Sequence, residues 1–96
     1  MTRLLVTPEA HDDLERLRTF LQGKSPRSAR RAAVKISEAM AQLRDHPQTG
    51  RPVSLGFREL VIDYGESGYI ARYRYDAEVD AVVVLRIRHQ REAGVG

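Results

Sequence analysis

Apolar residues recur at two different periods along this chain, and the change of period divides it. Ala10, Leu14, Leu17 and Leu21 fall at spacings of four, three and four, which is one face of a helix. Thr7 is placed to cap that helix and Pro8 to fill its first turn, so it is predicted from Pro8 to about Gln22, ending at Gly23. Its first half carries Glu9, Asp12, Asp13 and Glu15 and its second half Arg16 and Arg18, the order the helix dipole favours. Ser25 and Pro26 repeat the start signal, and Ala29, Ala32, Ala33, Ile36, Met40 and Leu43 form a second stripe running to Asp45 before Pro47. A link of about three residues makes the two helices an antiparallel hairpin.

Elsewhere the period is two. Leu4, Leu5 and Val6 form a short strand before Pro8, and His46 to Gly56, with prolines and glycines throughout, reads as a loop. Strands follow at Phe57 to Asp63, Tyr69 to Tyr75 and Ala81 to Arg88, joined by a turn at Tyr64 to Gly68 and a hairpin link at Asp76 to Asp80. Alternation sends Ala81, Val83, Leu85 and Ile87 to the core and Val82, Val84, Arg86 and Arg88 to the opposite face. Pairing Tyr75 with Ala81 places Tyr73 opposite Val83, Ala71 opposite Leu85 and Tyr69 opposite Ile87, with the helices covering the tyrosine face. The expected fold is α+β: an N-terminal strand, a helix hairpin and a three-stranded antiparallel meander, with both helices on one face of the sheet and residues 1–96 forming a single domain.

Composition narrows the chemistry. There is no cysteine, so disulfides and thiolate chemistry are absent, and His11, His46 and His89 are dispersed, so neither a metal nor a cofactor is expected. The longest apolar run, Ala81 to Leu85, is far too short to span a bilayer, and the N-terminus does not read as a signal peptide; a cytoplasmic location is expected. Of the 16 cations all but Lys24 and Lys35 are arginines, with a net charge of +3. Arginine's planar fork suits carboxylates and phosphates, so acidic proteins and nucleic acids are the partner classes to weigh, beside a compositional origin of the skew. Lys24, Arg27, Arg30, Arg31 and Lys35 crowd the start of the second helix, where the dipole disfavours cations; they form either a solvated face or a docking surface for an acidic partner.

Four fragments in order, Gly50-Arg51-Pro52, Arg58-Glu59-Leu60, Gly68-Tyr69-Ile70-Ala71-Arg72-Tyr73 and the closing Leu85-Arg86-Ile87-Arg88-His89-Gln90-Arg91-Glu92, resemble the RelE/ParE superfamily of bacterial toxins, the last fragment pointing to the ParE branch. The resemblance covers nearly the whole chain. It implies the toxin of a type II toxin–antitoxin system, neutralised by a ParD-like ribbon-helix-helix antitoxin in a hetero-oligomer. ParE-like members poison DNA gyrase and block replication, often in plasmid stabilisation, whereas RelE-like members cut messenger RNA on the ribosome. The RelE-like ribonuclease set is mostly missing: the strand Phe57 to Asp63 has Arg58 but no lysine, Ile70 stands near the next arginine's place, and Ala93-Gly94-Val95-Gly96 lacks an aromatic.

The expected site residues follow from face and resemblance together. Target contact is assigned to Arg58, Arg86, Arg88, His89, Arg91 and Glu92, without a catalytic residue; His89 is either structural or a base oriented by Glu92. Antitoxin contact is assigned to Leu14, Phe20, Arg27, Arg30, Arg31, Ile70, Arg72, Arg74, Val82, Val84 and Arg86. Gyrase inhibition is the expected activity, a ribosome-dependent endonuclease is the alternative, and a plain nucleic-acid-binding module is a third reading.

Overall fold

Thr7 starts the first helix as its sequence position requires: it is extended (φ −67°, ψ 159°) and its hydroxyl accepts from the Ala10 amide at 3.1 Å. The computed structural model describes residues 1–64 and 67–90, and in it α1 spans Pro8–Lys24 and α2 spans Pro26–Asp45. The expected stop at Gly23 and the longer link are corrected, because Ser25 alone joins the helices. Its amide donates to Leu21 O at 2.9 Å while its hydroxyl accepts from the Ser28 amide at 3.0 Å, so one extended residue ends α1 and caps α2.

The sheet has the order β1-β5-β4-β3-β2, with β1 Arg3–Val6, β2 Arg51–Pro52, β3 Arg58–Tyr64, β4 Ser67–Asp76 and β5 Ala81–His89. The meander β3-β4-β5 is antiparallel as expected, and β1 lies parallel to β5 with Leu4 beside Val82 and Val6 beside Val84. The region expected as plain loop contains β2, whose Pro52 is tolerated because it lies on a sheet edge. A turn over Ser54–Gly56 then holds Leu55 and Gly56 at positive φ, 63° and 78°.

The β4–β5 register differs from the expected one. Asp76 belongs to the strand and pairs with Ala81, so Tyr75 meets Val82 and Tyr73 meets Val84; the pairing then resumes at Arg72 with Arg86 and Ala71 with Ile87, leaving Leu85 as a bulge. The tight link holds Asp80 at φ 50°, and its Oδ1 accepts from Thr2 Oγ1 at 2.7 Å and from the Tyr75 hydroxyl at 2.9 Å. A one-residue slip exchanges the faces of a strand, and a bulge exchanges them back. Val82 and Val84, expected as exposed antitoxin contacts, are therefore fully buried, and Val83 stands beside Arg74 instead of Tyr73. Beyond the bulge the expected parity holds: Ile87 is buried and Arg88 exposed.

The core joins Ala10, Ala39 and Leu43 of the helices to Ile62, Tyr69, Ala71, Tyr73, Val82, Val84 and Ile87 of the sheet. Leu14, Leu17, Ile36 and Met40 pack at its margin, while Ala33, assigned to the stripe by spacing, is exposed and Ala39 takes the buried place. Both helices lie over the tyrosine face, and no described element covers the other.

Candidate functional site

That uncovered face is built around one carboxylate. The registers set Arg51, Glu59, Arg72 and Arg86 in a row across β2, β3, β4 and β5. Glu59, its side chain only 11% exposed, receives Arg72 Nη2 at 2.8 Å and Arg51 Nη2 at 3.2 Å. The hydrogen bond from Arg72, opposed by burial and helped by Arg51, holds the Glu59 carboxyl below its ordinary range. Arg74 and Arg88 are exposed on the same face, on either side of this row.

Arg86, expected as an open contact for both partners, is instead committed to Asp13. Its Nε lies 2.8 Å and its Nη2 3.1 Å from the carboxylate oxygens, and the Ile87 amide donates to Asp13 Oδ2 at 2.9 Å. The position explains the chemistry. β1 ends at Val6, Thr7 serves Val84 O and Leu85 O, and the next exposed amide on the β5 edge is met by a carboxylate from α1. Burial works to raise the Asp13 carboxyl, but the hydrogen bonds from Arg86 and Ile87 and the charges of Arg86 and Arg16 outweigh it, leaving it below its ordinary value. The sequence reading treated Asp13 only as helix-dipole charge; its place between Ala10 and Leu14 on the buried flank was the available signal.

Arg58 does not join the arginines at the far end of β5. It pairs opposite Tyr73, on the helix side, and its Nη1 donates to Gln48 O at 3.1 Å and Gly50 O at 2.8 Å. The Tyr73 hydroxyl is a second anchor for the same loop: it donates to Pro47 O and accepts from the Gly50 amide, both at 2.8 Å. A Cβ on Gly50 would lie 2.6 Å from the Tyr73 ring and hydroxyl, so this loop needs glycine for close approach.

His89 pairs opposite Tyr69, whose ring it meets edge-on with centroids 5.5 Å apart, and Arg88 is its exposed neighbour. Arg91 and Glu92, assigned to target contact, lie outside the described residues. On the hairpin, Phe20 is 59% exposed with Lys24 Nζ 4.9 Å above its ring, Arg27, Arg30 and Arg31 are exposed, and Leu14 is half-buried against the core. Ile70 is partly exposed beside Arg88 and Val61. Leu55, 89% exposed in a left-handed conformation, was not singled out in the sequence because nothing local marks a leucine for positive φ. Among the described residues no group of three or more His, Asp or Glu side chains is placed to hold a metal ion, and no helix is long and apolar enough to cross a membrane.

Comparison with known proteins assigns the architecture. The family model described as the ParE toxin of the type II toxin–antitoxin system parDE matches residues 4–94. Toxin RelE3 of Caulobacter vibrioides is 41% identical over 85 residues, spanning 88% of this chain and 90% of that protein. A chain of the chromosomal ParDE system of P. aeruginosa superposes with a TM-score of 0.75 at 25% identity, covering 93% of this chain and 96% of its own. A chain of the RelBE2 toxin–antitoxin complex of Mycobacterium tuberculosis gives 0.62 at 29% identity, covering 93% and 98%.

Proposed function

Because the chain belongs to the ParE toxin family of type II toxin–antitoxin systems, we propose that, released from its antitoxin, it binds DNA gyrase and traps it on cleaved DNA without breaking bonds itself. The observation that carries this reading is the ParE match across residues 4–94. The site supports it: β3 has no lysine, and its Arg58 is occupied with loop carbonyls rather than directed to a phosphate. A ribonuclease needs a base, a leaving-group acid and cations around one bond. His89 sits instead against the Tyr69 ring, opposite it on the sheet. Binding one state of the cleavage cycle better than the others is sufficient to stall it. Gyrase places the protein in the cytoplasm.

The antitoxin in this reading is of the ribbon-helix-helix type, and its acidic tail covers Arg72, Arg74 and Ile70 on the open face and Phe20 with Arg27, Arg30 and Arg31 on the hairpin. The target side keeps Arg88, His89, Arg91 and Glu92. Supercoiling by purified gyrase in the presence of this protein should stop with accumulation of cleaved complexes, and expression in cells should cause filamentation with a DNA-damage response. A second reading, ribosome-dependent cleavage of messenger RNA, is favoured by the relatives named RelE. Codon-specific cuts in translated mRNA, lost in His89→Ala or Arg91→Ala, with supercoiling unaffected at large excess, would select it.

A further inference from the structure

The open face of the sheet carries cations that the fold does not use. Arg3 on β1, Arg74 on β4 and Arg88 on β5 are exposed, and none forms an ion pair with a described residue. Between them Arg51 and Arg72, 74% and 51% exposed, share the single carboxylate of Glu59, so that cluster keeps a positive charge. Arg74 and Arg72 are two residues apart on one strand, roughly 7 Å along it. Arg88 continues the row on β5, two residues past Arg86, which pairs with Arg72. Asp76 and Asp63 stand only at the ends of the β4 and β3 segments that form this surface.

We propose that this face binds the phosphate backbone of duplex DNA without reading its sequence. Guanidinium groups set in a row fit a linear array of phosphates, each able to take the bidentate fork. Nothing on the described face projects as a helix or ribbon into a groove, so base edges are not reached. The aromatics that could stack unpaired bases, Tyr69 and Tyr73, are buried beneath the helices on the other side, which favours a duplex over a single strand. The apolar side chains of this face form two separate pairs, Val61 with Ile70 and Leu5 with Val83, and an acidic antitoxin segment over Arg72 and Arg74 would exclude duplex, so the DNA contact belongs to the antitoxin-free protein. The inference rests on the charges of this face and holds whether or not gyrase is the target.

The test is fluorescence anisotropy of the full-length, antitoxin-free protein with short labelled duplexes of unrelated sequence. Affinity should be indifferent to sequence and fall with salt at a log–log slope of about −3, as expected for three to four phosphate contacts. The double variant Arg74→Gln/Arg88→Gln removes two cations without touching an ion pair among the described residues. It should flatten the slope by roughly 2 and weaken low-salt binding on the order of tenfold. Lys24→Gln/Arg44→Gln removes the same charge from the helix layer and should leave the slope unchanged. Equal loss in both double variants, or no salt-dependent binding by protein with a native circular dichroism spectrum, overturns the proposal; so does binding of polyglutamate in place of duplex. If duplex binding fails while purified gyrase is still trapped, this inference falls and the gyrase reading stands; duplex binding without gyrase inhibition gives the reverse.

Discussion

Replacing Asp13 removes the acceptor at the end of the β5 edge and should be among the most damaging single changes in the chain. The carboxylate side chain is 3% exposed and serves four donors, Arg86 Nε, Arg86 Nη2, the Ile87 amide and, more distantly at 3.5 Å, Arg16 Nη2. An amide left unsatisfied costs about 1–3 kcal/mol, and breaking a buried ion pair about 3–5 kcal/mol. Arg86 is 36% exposed and has a further interaction, so it recovers solvation and the loss of its pair falls to about 1 kcal/mol, added to that of the amide. Asp13→Ala should therefore destabilise by about 2–4 kcal/mol, a fall in midpoint of roughly 10–25 °C for a domain of this size. Asp13→Asn keeps an acceptor for Ile87 but loses the charge and turns the other oxygen into an amide donor facing Arg86 Nη2, so a loss below that of Asp13→Ala is expected. The acid limb gives an independent reading. The folded carboxyl lies below its ordinary value of 3.8, so the unfolded chain binds the proton first; the stabilisation is complete above that value and disappears as pH falls through the lower folded one. Urea titrations followed by circular dichroism, at neutral pH and through that acid window, measure both effects. An Asp13→Ala protein within about 0.5 kcal/mol of the parent, or an acid limb unchanged in Asp13→Asn, would refute the edge-capping account.

Tyr73→Phe removes the hydroxyl that joins Pro47 O to the Gly50 amide and should cost about 1–3 kcal/mol in the same titration; Gly50→Ala, blocked by the Tyr73 ring, should cost a similar amount. Val84→Ala should destabilise by about 2 kcal/mol and Val83→Ala by less than half of that, since only Val84 is fully buried; the reverse order would contradict the bulged register. Arg74→Glu tests the antitoxin surface more cleanly than a change at Arg72 or Arg86, because those two hold Glu59 and Asp13. Antitoxin affinity by calorimetry should drop on the order of tenfold with a shallower salt dependence, and an unchanged value would exclude Arg74 from that contact.

The sequence by itself determined the elements and their layers. Helical spacing, two Ser/Thr caps each followed by proline and the period-two strands gave the α+β order, because these signals are local and each acts over one or two turns. The family was legible in four short fragments whose order the ParE match spans. Tertiary structure decided which arginines remain available. Parity assigned Val82 and Val84 to the open face because alternation assumes an unbroken ladder, and the bulge at Leu85 depends on how the turn at Asp80 is held by Thr2 and Tyr75, residues far away or across the hairpin. Arg58, Arg72 and Arg86 look equivalent as a list of cations, yet loop carbonyls take the first, Glu59 the second and Asp13 the third. Those partners lie 8, 13 and 73 positions away, and a charge on a strand cannot reveal which distant acceptor the packing of a helix will bring to it.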